Sequence, residues 1–98
     1  MDRFLEIQDI IWIDSFVEKL WRKHGIKTDE VEESLSGSPK IRFIEKGNVK
    51  GEDIYAGMGK TIEGRYLITF FIRKTGNRAL IISSRDMTKS ERKYYEKK

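Results

Sequence analysis

Two arginines bracket the part of the sequence with the most chemistry in it. Arg65 precedes the β-rich run Tyr66 to Arg73, and Arg85 follows the run Arg78 to Ser83. The residues between the runs, Lys74-Thr75-Gly76-Asn77, suit a hairpin turn. Pairing Phe70 with Ile82 and Ile72 with Leu80 gathers Ile68, Phe70, Ile72, Leu80 and Ile82 on one buried face, whereas a one-residue slip sets Phe70 against Ser83. The first register is the expected one. Its opposite face carries Arg65, Leu67, Thr69, Phe71 and Arg73 beside Ile81, Ser83 and Arg85, with Leu67 facing Arg85. Arg65 and Arg85 would then lie diagonally, roughly 7–8 Å apart by backbone, close enough for two guanidinium groups to hold one phosphate. Arg73 is about 27 Å from Arg65 along the strand, too far to share that site.

Three further groups bear on such chemistry. Ala56-Gly57-Met58-Gly59-Lys60-Thr61 resembles a phosphate-binding loop, but that pattern needs glycine where Ile54 stands and a helix where Ile62-Glu63-Gly64-Arg65 reads as a turn. These glycines are expected at a bulge and a hairpin turn instead. His24, the single histidine, suits a helix C-terminus, where its imidazolium meets the helix dipole; it is also the one imidazole for acid/base work near neutral pH. Tyr94 and Tyr95 fall on adjacent sides of a last helix, so that one ring belongs to the core and the other is available to stack on an unpaired base.

The elements that must carry these groups are legible from periodicity. Ile10 to Ile13 reads as a first buried strand. Phe16, Val17, Leu20, Trp21 and His24 form one stripe of a helix, with Asp14 as N-cap and Gly25 at C′. A second helix starts at Thr28, carries Asp29 and Glu30 in its first turn and buries Val31 and Leu35, and Ser36-Gly37-Ser38-Pro39 ends it. Lys40 to Glu45 and Glu52 to Met58 read as strands flanking a glycine-containing loop. Thr88-Lys89-Ser90-Glu91 has the form of a capping box opening a basic helix.

Composition narrows the function classes. Ninety-eight residues, 38% hydrophobic and 37% charged, with several Ile-rich runs, indicate one globular domain spanning residues 1–98. There is no cysteine and one histidine, so neither a disulfide framework nor a thiolate or His-cluster metal site is expected, and no cofactor. The longest apolar run, Tyr66 to Ile72, is too short to span a membrane, and Met1-Asp2-Arg3-Phe4 lacks a signal-peptide pattern, so the expected location is cytoplasmic. The net charge of +4 divides into −4 over residues 1–35 and +8 over residues 36–98. A basic C-terminal portion is the usual footprint of a polyanion site.

Three stretches of the sequence are similar to the BrnT family of toxins from type II toxin–antitoxin systems. They are Trp12 with Leu20-Trp21-Arg22-Lys23-His24-Gly25-Ile26; Gly59-Lys60-Thr61 with Glu63-Gly64-Arg65; and Ile81-Ile82-Ser83-Ser84-Arg85 with Thr88, Glu91-Arg92 and Tyr95-Glu96. The sequence departs from the family pattern where Ile13 separates Trp12 from Asp14, where Ser84 replaces alanine, and where Asp86-Met87 replaces a commoner basic-small pair. The resemblance implies an α+β RelE-like fold, a mainly antiparallel sheet of four or five strands with two N-terminal helices on one face and a C-terminal helix. It also implies a metal-independent RNA endonuclease that inhibits translation, paired with a cognate DNA-binding antitoxin that represses the shared operon. On that reading Arg65 and Arg85 hold the scissile phosphate, Lys60 assists, His24 or Tyr95 transfers protons, and Arg73, Lys89, Arg92 and Tyr94 contact RNA. A non-catalytic RNA-binding or interaction module derived from such a toxin is the alternative.

Overall fold

A computed structural model describes residues 7–97. In chain order the elements are β1 (Asp9–Ile11), α1 (Asp14–His24), α2 (Thr28–Ser36), β2 (Lys40–Glu45), β3 (Ile54–Lys60), β4 (Tyr66–Lys74), β5 (Arg78–Asp86) and α3 (Lys89–Glu96). The five strands make one sheet in the order β1-β5-β4-β3-β2. All neighbours are antiparallel except β1, which runs parallel to β5 over Arg78 to Leu80 only. No helix among the described residues is long and apolar enough to cross a membrane.

The two faces of the sheet are covered differently. On one side α1, α2 and the turn between them bury Leu20, Ile26, Val31 and Leu35 against Leu67, Phe71, Ala79 and Ile81. On the other, α3 covers a smaller cluster of Ala56, Met58 and Ile68, with Phe70, Met87 and Tyr95 at its margin. Because successive strand residues face opposite ways, odd-numbered Leu67, Thr69 and Phe71 belong to the first side and even-numbered Ile68 and Phe70 to the second.

Close approach of α2 depends on glycine. A Cβ on Gly59 would lie 1.8 Å from the Ser34 carbonyl oxygen, and one on Gly57 would lie 2.6 Å from Leu35 Cδ2. Both glycines sit within β3, where they make room for the helix; the expected bulge and hairpin roles do not apply to them. Gly64 does take a turn conformation, with φ of 96°.

Helix ends match the expected chemistry with one exception. Gly25 closes α1 at φ of 62°, and its N–H reaches back to the Leu20 and Trp21 carbonyls. Ile13, not Asp14, is the N-cap of α1, so Asp14 lies within the first turn, where its charge still favours the dipole. At α3 the Thr88 hydroxyl accepts from the Glu91 N–H at 3.2 Å, and Glu91 Oε1 accepts from the Thr88 N–H at 2.8 Å. The α1 stripe is narrower than its periodicity suggests. Leu20 is its one buried residue and Trp21 is 59% exposed, because α1 lies along β5 on its Phe16–Leu20 side.

The hairpin register departs from expectation at one residue. Ile72 pairs with Leu80 as expected, but a bulge follows, and Phe70 pairs with Ser83, Ile68 with Arg85 and Leu67 with Asp86. Ile82 is the extra residue: Phe71 pairs with Ile81, and the next pair skips it. From there on, β5 presents the opposite set of side chains to each face. Ser84 and Asp86 turn to the helix-covered side, where Thr69 Oγ1 and Ser84 Oγ meet at 2.9 Å, and Arg85 turns to the α3 side.

Candidate functional site

The bulge separates the two arginines. Arg65 stays on the α1–α2 side, and its guanidinium is enclosed by acceptors. Nε and Nη2 donate to the two Asp86 carboxylate oxygens at 2.7 and 3.1 Å, Nη1 to the Gly25 carbonyl at 3.1 Å and to Glu30 Oε1 at 3.3 Å, and Nη2 to the His24 carbonyl at 3.1 Å. Glu30 also accepts from the Lys27 N–H at 3.0 Å, as the third residue of α2. One side chain thus ties the end of α1, the start of α2 and the end of β5. Hydrogen bonding to Asp86 holds the Arg65 pKa above its ordinary value, and the same bond holds the Asp86 carboxyl below the usual carboxylate range.

Arg85 lies across the sheet, against α3. Nη1 and Nη2 donate to Glu91 Oε1 and Oε2 at 2.8 and 2.9 Å, a bidentate pair, and Nη1 also reaches the Asp86 carbonyl at 3.2 Å. Its guanidinium carbon is 5.7 Å from the Phe70 ring centre. The bond to Arg85 lowers the Glu91 pKa, and Arg85 is raised in return. The two arginines therefore do not converge on one phosphate. The register that would have paired them does not form, because Ile82 inserts a residue between Ile81 and Ser83 in the ladder.

Around Arg85 runs a groove of about 440 Å³ between α3 and the sheet, walled by Arg42, Arg85, Glu91 and Tyr94 over a floor that includes Met58 and Phe70. Tyr94 is the exposed member of the tyrosine pair, at 44%, with Lys40 Nζ 4.8 Å and the Arg42 guanidinium 5.1 Å from its ring centre. Tyr95 packs inward, edge-on to Tyr66 at 5.9 Å. Lys60 and Arg92 flank that Tyr66 ring, at 5.1 and 4.0 Å, and its hydroxyl donates to Glu96 at 2.7 Å. The cations converge here because Lys40, Arg42 and Lys60 are alternate residues of β2 and β3, and α3 adds its own basic residues alongside.

The structure thus divides the candidate residues. Arg85, Lys60, Arg92, Tyr94 and Tyr95 gather on the α3 side, with Lys89 in the exposed first turn of that helix. Arg65 and His24 lie on the other side, and Arg73 sits near the hairpin end, donating to Asn77 Oδ1 at 3.0 Å. Sequence reasoning missed Arg42, Tyr66 and the second role of Glu91. Period-two alternation along Lys40-Ile41-Arg42 would have placed Arg42, and the spacing of Arg85 to Glu91 gave no sign of their contact. Among the described residues no group of three or more His, Cys, Asp or Glu side chains is placed to hold a metal ion.

Comparison with known proteins gives this arrangement a family. The solved structure of the ribonuclease toxin BrnT from Brucella abortus superposes with a TM-score of 0.61 at 18% identity, covering 83% of this chain and 97% of that one, a likeness of fold. No curated protein matches the sequence. The family model for the ribonuclease toxin BrnT of type II toxin–antitoxin systems matches residues 12–91. Strands β2 to β5, helices α1 and α2, the Gly-Arg turn entering β4 and the capped start of α3 lie within that span, and the chain belongs to the BrnT family of ribonuclease toxins.

Proposed function

We propose that this protein is a metal-independent RNA endonuclease that inhibits translation and is neutralised by a cognate DNA-binding antitoxin, with the RNA strand lying in the groove beside α3. The observation that carries this reading is the groove itself: a cationic rim and an exposed tyrosine beside Arg85, in a chain of a ribonuclease toxin family. Phosphates are held by the rim and an unpaired base by the aromatic wall.

In the proposed reaction the scissile phosphate takes the place of Glu91 on the Arg85 guanidinium. Freed from Arg85, the Glu91 carboxylate is released from the bond that depresses its pKa and accepts the proton of the ribose 2′-OH. The 2′-oxygen attacks phosphorus in line, the bond to the 5′-oxygen breaks, the leaving 5′-oxygen takes a proton from water, and Glu91 returns its proton to solvent. The products are a 2′,3′-cyclic phosphate and a 5′-hydroxyl. Arg85 offsets charge on the phosphorane oxygens, and Lys60 and Arg92 hold flanking phosphates. Arg65 serves as a tie between elements, and His24 and Tyr95 lie outside this reaction.

A second reading has its own support. Both arginines already hold carboxylates, which suits a module that binds RNA and does not cut it. Incubating purified protein with single-stranded RNA in EDTA separates the two. Cleavage to cyclic-phosphate ends, lost in Arg85→Ala and in Glu91→Gln, supports the enzyme; binding without cleavage supports the module.

A further inference from the structure

A second basic concavity lies on the side away from α3. Its volume is about 250 Å³, and it is lined by Phe16, Lys19, Leu20, Lys23 and His24 of α1 together with Ile82 and Ser83 at the β5 bulge. None of its lining residues is a carboxylate, and among the described residues Lys19, Lys23 and His24 make no ion pair. Asp86, the carboxylate at the end of β5, has both its oxygens taken by Arg65. Lys19 and Lys23 are one helical turn apart, so both ammonium groups reach the same cleft, at the cost of mutual repulsion that an anion would relieve. Lys19 Nζ lies 5.9 Å from the Phe16 ring centre, on the cleft wall.

The opposite wall is unusual for a sheet. Strand β1 covers the outer edge of β5 only as far as Leu80, so the bulge at Ile82 and the residues after it have no strand beyond them. Ser83 lines this cleft, and Arg85, two residues on and about 6.6 Å along the strand, lines the groove beside α3. A chain that leaves the groove past Arg85 and rounds the open edge of β5 arrives at Lys19 and Lys23.

We propose that the cleft between α1 and the β5 bulge is a second phosphodiester site for the same RNA strand, in which Lys19 and Lys23 contact the backbone. This rests on the reading that the groove beside Arg85 holds RNA. The site contacts phosphate and sugar without reading bases, so it adds affinity and sets the direction of the strand.

The test uses a single-stranded RNA oligonucleotide with 2′-O-methyl riboses, which cannot be cleaved, and fluorescence anisotropy across a salt series. Lys19→Glu with Lys23→Glu is expected to weaken binding at least tenfold and to make the salt slope shallower by about 0.7 for each phosphate that is no longer neutralised. Lys46→Glu with Lys50→Glu, on the β2–β3 loop, changes net charge equally and is expected to shift Kd less than twofold. Lys19→Arg with Lys23→Arg is expected to keep binding. Equal weakening by the two charge reversals would mean bulk electrostatics and overturn the site, as would unchanged RNA binding by Lys19→Glu with Lys23→Glu. A polyglutamate peptide captured through Lys19 and Lys23 while RNA binding ignores them would also overturn it, in favour of an acidic protein partner. Wild-type protein that binds no RNA at all would instead fail the parent reading, and this one with it.

Discussion

Arg65 and Arg85 are held by the same device in different surroundings. Each docks on the glutamate at the third position of a helix, Arg65 on Glu30 of α2 and Arg85 on Glu91 of α3, and each glutamate also accepts the backbone N–H at its own helix start. Arg65 then goes on to bond Asp86 and two carbonyls, and it lies at the junction of α1 with α2, whose approach to the sheet is set by glycine. Arg85 has one carboxylate and a neighbouring carbonyl, and it opens onto a groove. A guanidinium whose acceptors come from three elements is architecture. One whose acceptor is a single carboxylate can trade it for phosphate.

The largest expected effect falls on the closed side. Gly59→Ala drives a methyl group into the Ser34 carbonyl, and chemical denaturation should show a loss of about 3 kcal/mol or more, or no folded protein. On the open side, Arg85→Ala should lower RNA cleavage at least 100-fold and abolish growth arrest, as expected for removing a donor to a developing oxyanion, while the circular dichroism spectrum stays native. Arg65→Ala should do the reverse. Losing the tie should cost about 2 kcal/mol in urea unfolding, and residual cleavage should follow the fraction of folded protein. A stable Arg65→Ala that has lost RNA binding would break the comparison. Thr88→Ala removes one capping bond of α3 and should cost about 1 kcal/mol.

The smallest effect is on pH dependence. Asp86 and Glu91 both titrate below their ordinary values of 3.8 and 4.5, each through its arginine. A depressed carboxylate contributes stability that is whole above its unfolded pKa and is lost as pH falls through the folded one. Urea midpoints should therefore drop on acidification below the ordinary carboxylate range, and less steeply in Arg65→Ala and Arg85→Ala. Asp86 is 61% exposed in its side chain, so salt should blunt its share.

Much of this was legible in the sequence. The cap at Gly25, the start of α2 at Thr28, the strand Lys40–Glu45 and the Thr88–Glu91 box each have a local cause that residue type reveals. What was not legible depends on phase or on tertiary approach. Leu80-Ile81-Ile82 is apolar throughout and Ser83-Ser84 is small throughout, so nothing in the run marks which residue drops out of the ladder. The glycines of β3 answer to a helix distant in sequence, and Trp21 is exposed because α1 leans on β5 by another side. Strand β1 was expected over Ile10 to Ile13 and buried; it forms at Asp9–Ile11, half-exposed, at the sheet margin.

The bulge at Ile82 has a consequence best put as parity. Along a strand, the face a side chain meets is decided by whether its position counts odd or even, and one uncounted residue inverts the rule for everything after it. Had the strand stayed in step, Arg85 would have come up beside Arg65, two cations on one side, and Asp86 would have been left on the other with neither. The skipped residue gives each arginine its own carboxylate and its own surface. Removing Ile82 would erase the bulge yet leave every later pair as it stands, Ser83 against Phe70 and Arg85 against Ile68, so Arg85 would keep its side: one uncounted residue, not the charge pattern, sets where that cation appears.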